Sequence, residues 1–188
     1  MPFEFVHESI PGVVLIKPRR FIDERGFFME TFRQTDFAAH GIETAFVQEN
    51  HSRSSKHAIR GLHFQRAPKA QAKLIRVIRG AILDVAVDLR KESPTFGHWI
   101  CAELSDENGN LLYLPEWCAH GFCVLSDTAD VVYKASNEYS PQHESGVIWN
   151  ESVLNIPWPT RTPILSERDR RWPPLNNIET GMFRTSAC

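Results

Sequence analysis

The 188-residue chain has no CxxC pair, no long apolar run and no marked excess of either charge. No stretch approaches the roughly 20 apolar residues that cross a bilayer as a helix, so no membrane association is expected. Cys101, Cys118, Cys123 and Cys188 follow no disulfide framework. They are expected to be reduced thiols, used as small hydrophobes in a cytoplasmic protein. The 21 basic and 23 acidic residues leave a formal charge of -2. That balance excludes a general field for nucleic acid or an anionic membrane but leaves room for a local anion site. The opening "MPFEFVHESIPGVVLIKPRR" places Glu4 and Glu8 ahead of a short apolar stretch and has no small-residue cleavage site behind it. It reads as the first part of the fold, not as a secretion signal. Linkers and repeats are lacking too, so one domain is expected over residues 1–188, with an irregular, proline-rich tail from about residue 155.

What the chain does have is many short β-type segments. "GVVLIKP", "RGFFMETF", "ETAFVQEN", "AIRGLHF", "AKLIRVIRG", "AILDVAVDL", "HWICAELS", "LLYLP", "HGFCVLS" and "DVVYKAS" follow one another with little helical periodicity between them. "QTDFAAH" before Gly41 suggests one short helix, and Ser166 of "SERD" a cap for another. In "AILDVAVDL", Leu83, Val85, Val87 and Leu89 share one face, and Asp84, Asp88 and Arg90 the other. That is the pattern of a half-buried strand, apolar side in and charged side out. The predicted fold class is all-β, a sandwich or closed barrel with short peripheral helices.

Three strands carry a polar group on an otherwise apolar face. Lys73 shares its face with Ile75 and Val77, Tyr133 with Val131, and His120 with Phe122 and Val124. Buried polar groups need partners, so a barrel lined this way is a pocket more readily than a core. Each residue also has an ordinary reading: a snorkelling lysine, a core tyrosine, a structural histidine. "RGLHFQ" raises the same choice for His63, which is a metal ligand, a base or filling. A metal site commonly draws three or more close ligands. This chain has no HxH, and His51, His57 and His63 are six residues apart, so no metal is expected. Histidine suits proton transfer near neutral pH. With a lysine to hold oxyanion charge and a tyrosine to return a proton, the set fits deprotonation beside a carbonyl.

Taken together, "FIDERGFFMETF", "FVQENHSRSSKHAIRGLHFQ", "AKLIRVIRGAILDVAVDLRKESPTFGHW", "AHGFCVLSDTADVVYK" and "LSERD" resemble the dTDP-4-dehydrorhamnose 3,5-epimerases along almost the whole chain. The resemblance implies a cupin-type jelly roll (double-stranded β-helix) and a homodimer in which an N-terminal strand crosses to the partner. It implies no metal and no cofactor, and a nucleotide-linked 4-keto-6-deoxyhexose as substrate. By the same resemblance His63 matches the general base, Asp169 the carboxylate paired with it, Tyr133 the general acid, and Lys73 the lysine beside the keto oxygen. His120 matches a pocket residue, and Arg25, Glu30, Gln48 and Asn50 match substrate contacts. Arg60 matches the diphosphate contact, Tyr139 a residue at the sugar and base end, and Glu144 and Arg168 outer nucleotide contacts. The chain departs from the family pattern at Trp117 and Cys118, where glycine and phenylalanine are usual. The rival readings are a related epimerase acting at C3 or C5 alone, a non-catalytic nucleotide-sugar binding protein and a metal-dependent cupin oxygenase.

Overall fold

In the computed structural model, residues 2–179 are described. Thirteen strands run in chain order: β1 (Phe3–His7), β2 (Val14–Pro18), β3 (Arg20–Asp23), β4 (Gly26–Met29), β5 (Gln48–Ser55), β6 (Ile59–Gln65) and β7 (Lys73–Arg79), then β8 (Ala81–Asp88), β9 (Trp99–Ser105), β10 (Leu111–Leu114), β11 (Cys118–Val124), β12 (Thr128–Ala135) and β13 (Glu144–Gly146). One short helix, α1 (Gln34–Ala38), and a 3-10 turn (Leu175–Asn177) are the helical elements among the described residues. No helix among them is long and apolar enough to cross a membrane.

Strands β5 to β12 are divided between two sheets, in the orders β5-β12-β7-β10 and β6-β11-β8-β9, and the chain changes sheet at every step except the β8-β9 hairpin. These are the two four-stranded sheets of a jelly roll. β1 and β2 extend the first sheet beyond β10, and β13 extends the second beyond β6. Every pairing between these strands is antiparallel. The inner faces meet in one apolar cluster that includes Ile75, Val77 and Val131 from one sheet and Ile82, Ala86, Phe122 and Val124 from the other. Lys73, Tyr133 and His120 share those faces by the period-two rule.

Both sheets are covered outside as well. Phe37 of α1 and Phe3 pack with Val14, Ile16, Leu74 and Leu111 on the outer face of the first sheet. On the second, the tail lays Leu154, Leu175 and Ile178 over Leu62, Phe64, Val85, Val87 and Leu89. This double cover corrects the expected orientation of β8. Its apolar row faces outward, under the tail, and Asp84, on the same side as Ile82 and Ala86, points between the sheets with no exposure at all. Asp88 is also fully buried, where Arg90, Ser93 and Thr95 donate to its carboxylate.

Other expectations shift in detail. The segment 42–47 before β5 is irregular, joined to β12 at its end by the Val47 amide, which donates to the Ala135 carbonyl at 2.9 Å. Ser166 does accept a hydrogen bond from the Asp169 amide at 3.1 Å, yet it closes a turn and not a helix. Cys118 and Cys123 are free and buried, whereas Cys101 is free but exposed. Cys188 lies outside the described residues.

Candidate active site

β6 is irregular at the point where "RGLHFQ" raised its question. Against β11, His63 pairs with His120 but Arg60 pairs with Phe122, so three steps on β6 match two on its neighbour. The extra residue is a β-bulge, which re-aims side chains. In a regular strand Arg60 and His63 would point to opposite faces. Here both line one cavity, and Leu62 packs in the outer cluster. Gly61 makes this possible. Its φ is +134°, and a Cβ there would stand 2.5 Å from the Gly121 Cα. Only the absence of a side chain lets the two strands approach so closely.

The cavity lies between the sheets and measures about 400 Å³. The first sheet supplies Gln48, Asn50, Lys73 and Tyr133, and the second supplies Arg60, His63, His120 and Glu144. Tyr139 and Arg168 stand at its rim. Asp169 is behind His63, 4% exposed at its side chain, with its Oδ1 at 2.5 Å from His63 Nε2. The tail delivers it. Ile164 is bridged to Ala58 at the start of β6, and the Ser166 turn then brings the carboxylate back to His63. Trp172 completes the arrangement by donating its indole N–H to Asp169 Oδ1 at 3.3 Å. Its ring lies against Gly146, where a Cβ would come within 2.6 Å.

The hydrogen-bond pattern assigns the tautomer. An ionised carboxylate only accepts, so His63 donates from Nε2 and keeps its Nδ1 lone pair. Burial lowers the His63 pKa. Lys73 and Arg168 lower it further, against the opposing pull of Asp169. Burial alone would raise the Asp169 pKa, but the bonds from His63, Ser166 and Trp172 prevail and hold it below the usual carboxylate range. The outcome is a neutral imidazole backed by a carboxylate, the form needed to accept a proton.

Tyr133 faces this group from the opposite sheet, in register with Asn50 on β5 and Ile75 on β7. Burial raises its pKa, with Glu144 adding to the rise and Arg60 and Arg168 opposing it. The phenol therefore stays protonated at neutral pH. Lys73 is buried, and its pKa is pulled down to about 8 by desolvation, against the stabilising charges of Asp84 and Glu144. The combination of base, ammonium and phenol can take a proton from carbon, hold the resulting oxyanion and return a proton from the other side.

Two features of the site were not read from the sequence. Asp84 Oδ1 meets His120 Nε2 at 2.6 Å, a second imidazole–carboxylate pair next to the first. The only sequence signal was an acid inside an apolar strand. Gln65 also lines the cavity, as its two-residue offset from His63 allows. At the rim, Tyr139 donates to Glu144 Oε2 at 2.7 Å, and Arg168 reaches the same oxygen at 2.5 Å. Arg60 Nε donates to Ser54 Oγ at 2.8 Å.

Arg25 and Glu30 are not brought to this cavity. Arg25 sits at the turn of the β3-β4 hairpin, paired with Asp23, and Glu30 just beyond it, paired with Arg33. Among the described residues no three His, Cys, Asp or Glu side chains are grouped to hold a metal ion.

A family model described as dTDP-4-dehydrorhamnose 3,5-epimerase matches residues 7–177. A curated relative of that name from Shigella flexneri is 52% identical over 165 residues, spanning 87% of this chain and 91% of the relative. A crystal structure of the Bacillus anthracis enzyme with TDP and PPi bound superposes with a TM-score of 0.90 at 47% identity, covering 92% of this chain and 99% of that one. The Legionella pneumophila dTDP-6-deoxy-D-glucose-3,5-epimerase, solved in complex with dTDP-4-keto-L-rhamnose, gives 0.92 at 38% identity over 97% of this chain and 100% of its own.

Proposed function

Because the chain belongs to the dTDP-4-dehydrorhamnose 3,5-epimerase family, we propose that it inverts C3 and C5 of dTDP-4-dehydro-6-deoxy-D-glucose to give dTDP-4-dehydro-L-rhamnose. The observation that carries this reading is the placing of His63 and Tyr133 on facing sheets across one cavity, with Asp169 at hydrogen-bond distance behind the histidine. The ketone at C4 acidifies the protons on both neighbouring carbons. His63 Nδ1 takes one of them, and its new charge is met by Asp169. The electron pair moves to the C4 oxygen, where Lys73 donates. Tyr133 then delivers a proton to the opposite face of the same carbon. Once His63 has released its proton to water and Tyr133 has regained one from it, repetition at the second carbon completes the double inversion, and the scheme needs no cofactor.

Arg60 and Arg168, with Gln48, Asn50, Tyr139 and Glu144, are assigned to the nucleotide diphosphate and the sugar. Arginine forks suit phosphate oxygens. His120 is placed beside Lys73 at the keto oxygen. The hairpin that carries Arg25 also exposes Phe21, Ile22, Phe27 and Phe28. Apolar surface of this kind suits an interface, so a second copy of the chain is assigned to cover it, with Arg25 and Glu30 serving the partner's cavity. The free, buried thiols of Cys118 and Cys123 support a cytoplasmic location.

The test is an incubation with dTDP-4-keto-6-deoxyglucose in deuterated buffer, with deuterium counted at each carbon by NMR. Label at both C3 and C5, together with the L-configured product, is the expected result. Label at one carbon would reduce the activity to a single epimerisation, and an unlabelled sugar would end the reading.

A further inference from the structure

In the scheme above His120 stands at the keto oxygen, but its carboxylate partner Asp84 has no role. Asp84 is fully buried at the centre of the second sheet, with Ala102 on one side and Phe122 on the other in register. One oxygen holds His120 Nε2 at 2.6 Å. The other, Oδ2, is buried with no hydrogen-bond partner among the described residues. An ionised carboxylate half satisfied in a β core costs several kcal/mol unless a cation is near, and apolar residues at this position would pack without that cost. The other titratable groups that line the cavity are Lys73 on β7, Arg60 and His63 on β6, Tyr133 on β12, Glu144 on β13 and His51 on β5, with Tyr139 and Arg168 at the rim. Glu144 already has Arg168 and Tyr139, and His63 has Asp169. Lys73 makes no hydrogen bond among the described residues, and its charge is supported first by Asp84.

A charge count then matters. Lys73 and Asp84 cancel. Forming an enolate adds one negative charge to this interior, and with Arg60 assigned to the diphosphate and Arg168 paired with Glu144, no cation but Lys73 remains to meet it if His120 is neutral. A neutral His120 that donates from Nε2 to Asp84 also presents only a lone pair at Nδ1, which would repel an enolate oxygen. Resting on the epimerase reading, we propose that Asp84 is a positioning residue that holds His120 doubly protonated. Nε2–H is bound to Oδ1, Nδ1–H is left for the C4 oxygen, and Oδ2 serves as counter-ion to Lys73. The enolate oxygen is thus gripped by two cations, with Asp84 fixing both from behind. Lys73, His120 and Asp84 carry a net charge of +1 before reaction, and the enolate takes it to zero.

The wild-type protein tests this by ring-nitrogen NMR of His120, assigned by comparison with a His120→Gln variant. Both nitrogens protonated across neutral pH is the expected result, and a neutral ring would overturn the proposal. Asp84→Asn should lower kcat roughly 100-fold, the scale of one lost oxyanion donor, with KM essentially unchanged because the nucleotide contacts are intact. It should also move the alkaline limb of kcat to lower pH, because Lys73 loses its counter-ion. A merely structural Asp84 would lower the amount of folded enzyme and leave that limb in place, which also counts against the proposal. If the variant does not fold, the wild-type spectrum decides. If the wild type fails to label dTDP-4-keto-6-deoxyglucose at all, the epimerase reading falls, and the spectrum still judges the Asp84–His120 assignment.

Discussion

Replacing Asp169 with asparagine separates two jobs that a carboxylate behind a histidine usually performs together. Such a group fixes the tautomer and also stabilises the imidazolium. When an amide replaces it, the loss can be as large as about 10⁴, because the amide turns its NH₂ toward the ring and enforces the wrong tautomer. Trp172 prevents that here. Its indole N–H and His63 Nε2–H both address the same atom, Oδ1, at 3.3 and 2.5 Å. In Asp169→Asn, only the amide oxygen can occupy that place without facing two donors. The tautomer is therefore kept, and what is lost is the charge. Unit charges about 4 Å apart at an effective dielectric of about 20 attract by about 4 kcal/mol, which is about three decades of rate. Initial rates of deuterium wash-in should fall about 10³-fold in Asp169→Asn. They should fall by about another decade in Asp169→Asn/Trp172→Phe, where the amide is free to turn. A single variant that keeps a tenth of wild-type activity would refute the electrostatic account. A double variant no worse than the single would refute the role given to Trp172.

The pH profile should be a bell. His63 is held below its ordinary pKa, so it stays a competent base on the acid side to below about pH 6.5. Lys73, with a pKa of about 8, loses its proton on the alkaline side, and activity falls above that value. A Lys73→Met variant should lose roughly 10² to 10³ in kcat and with it the alkaline limb, read from kcat against pH. Gly61→Ala would place a Cβ 2.5 Å from the Gly121 Cα at a φ of +134°. A loss of more than about 3 kcal/mol is expected from this overlap and strain, measured as a fall in the urea midpoint. Sedimentation velocity should show a dimer, and Ile22→Asp/Phe28→Asp on the exposed hairpin should shift it toward monomer.

Period-two alternation was sufficient to turn Lys73, Tyr133 and His120 inward, because each lies in a regular strand with its apolar neighbours two residues away. It failed for Asp84. The rule assumes that one face of a strand is wet, whereas the tail makes both faces of β8 dry. It is silent about Arg60 and His63, whose odd spacing denies them a common face until the bulge supplies it. The tail itself has no periodicity, so the 106-residue reach from Asp169 to His63 rested on motif likeness alone. Arg25 and Glu30 were read as contacts from the same likeness, and in a single chain their hairpin leads them elsewhere.

The extra residue in β6 also has a bearing on residue spacing. A pleated ribbon offers same-side positions at intervals of two, yet this one presents a guanidinium and an imidazole three apart. Under the proposed mechanism the interval is a fixed gauge between the end of the ligand held by charge and the end that loses a proton. Ironing out the bulge at unchanged length would restore the plain pleat and swing one of the two groups out of the cavity. A homologue that keeps the three-residue spacing but lacks the bulge would present only one of the two groups to its cavity.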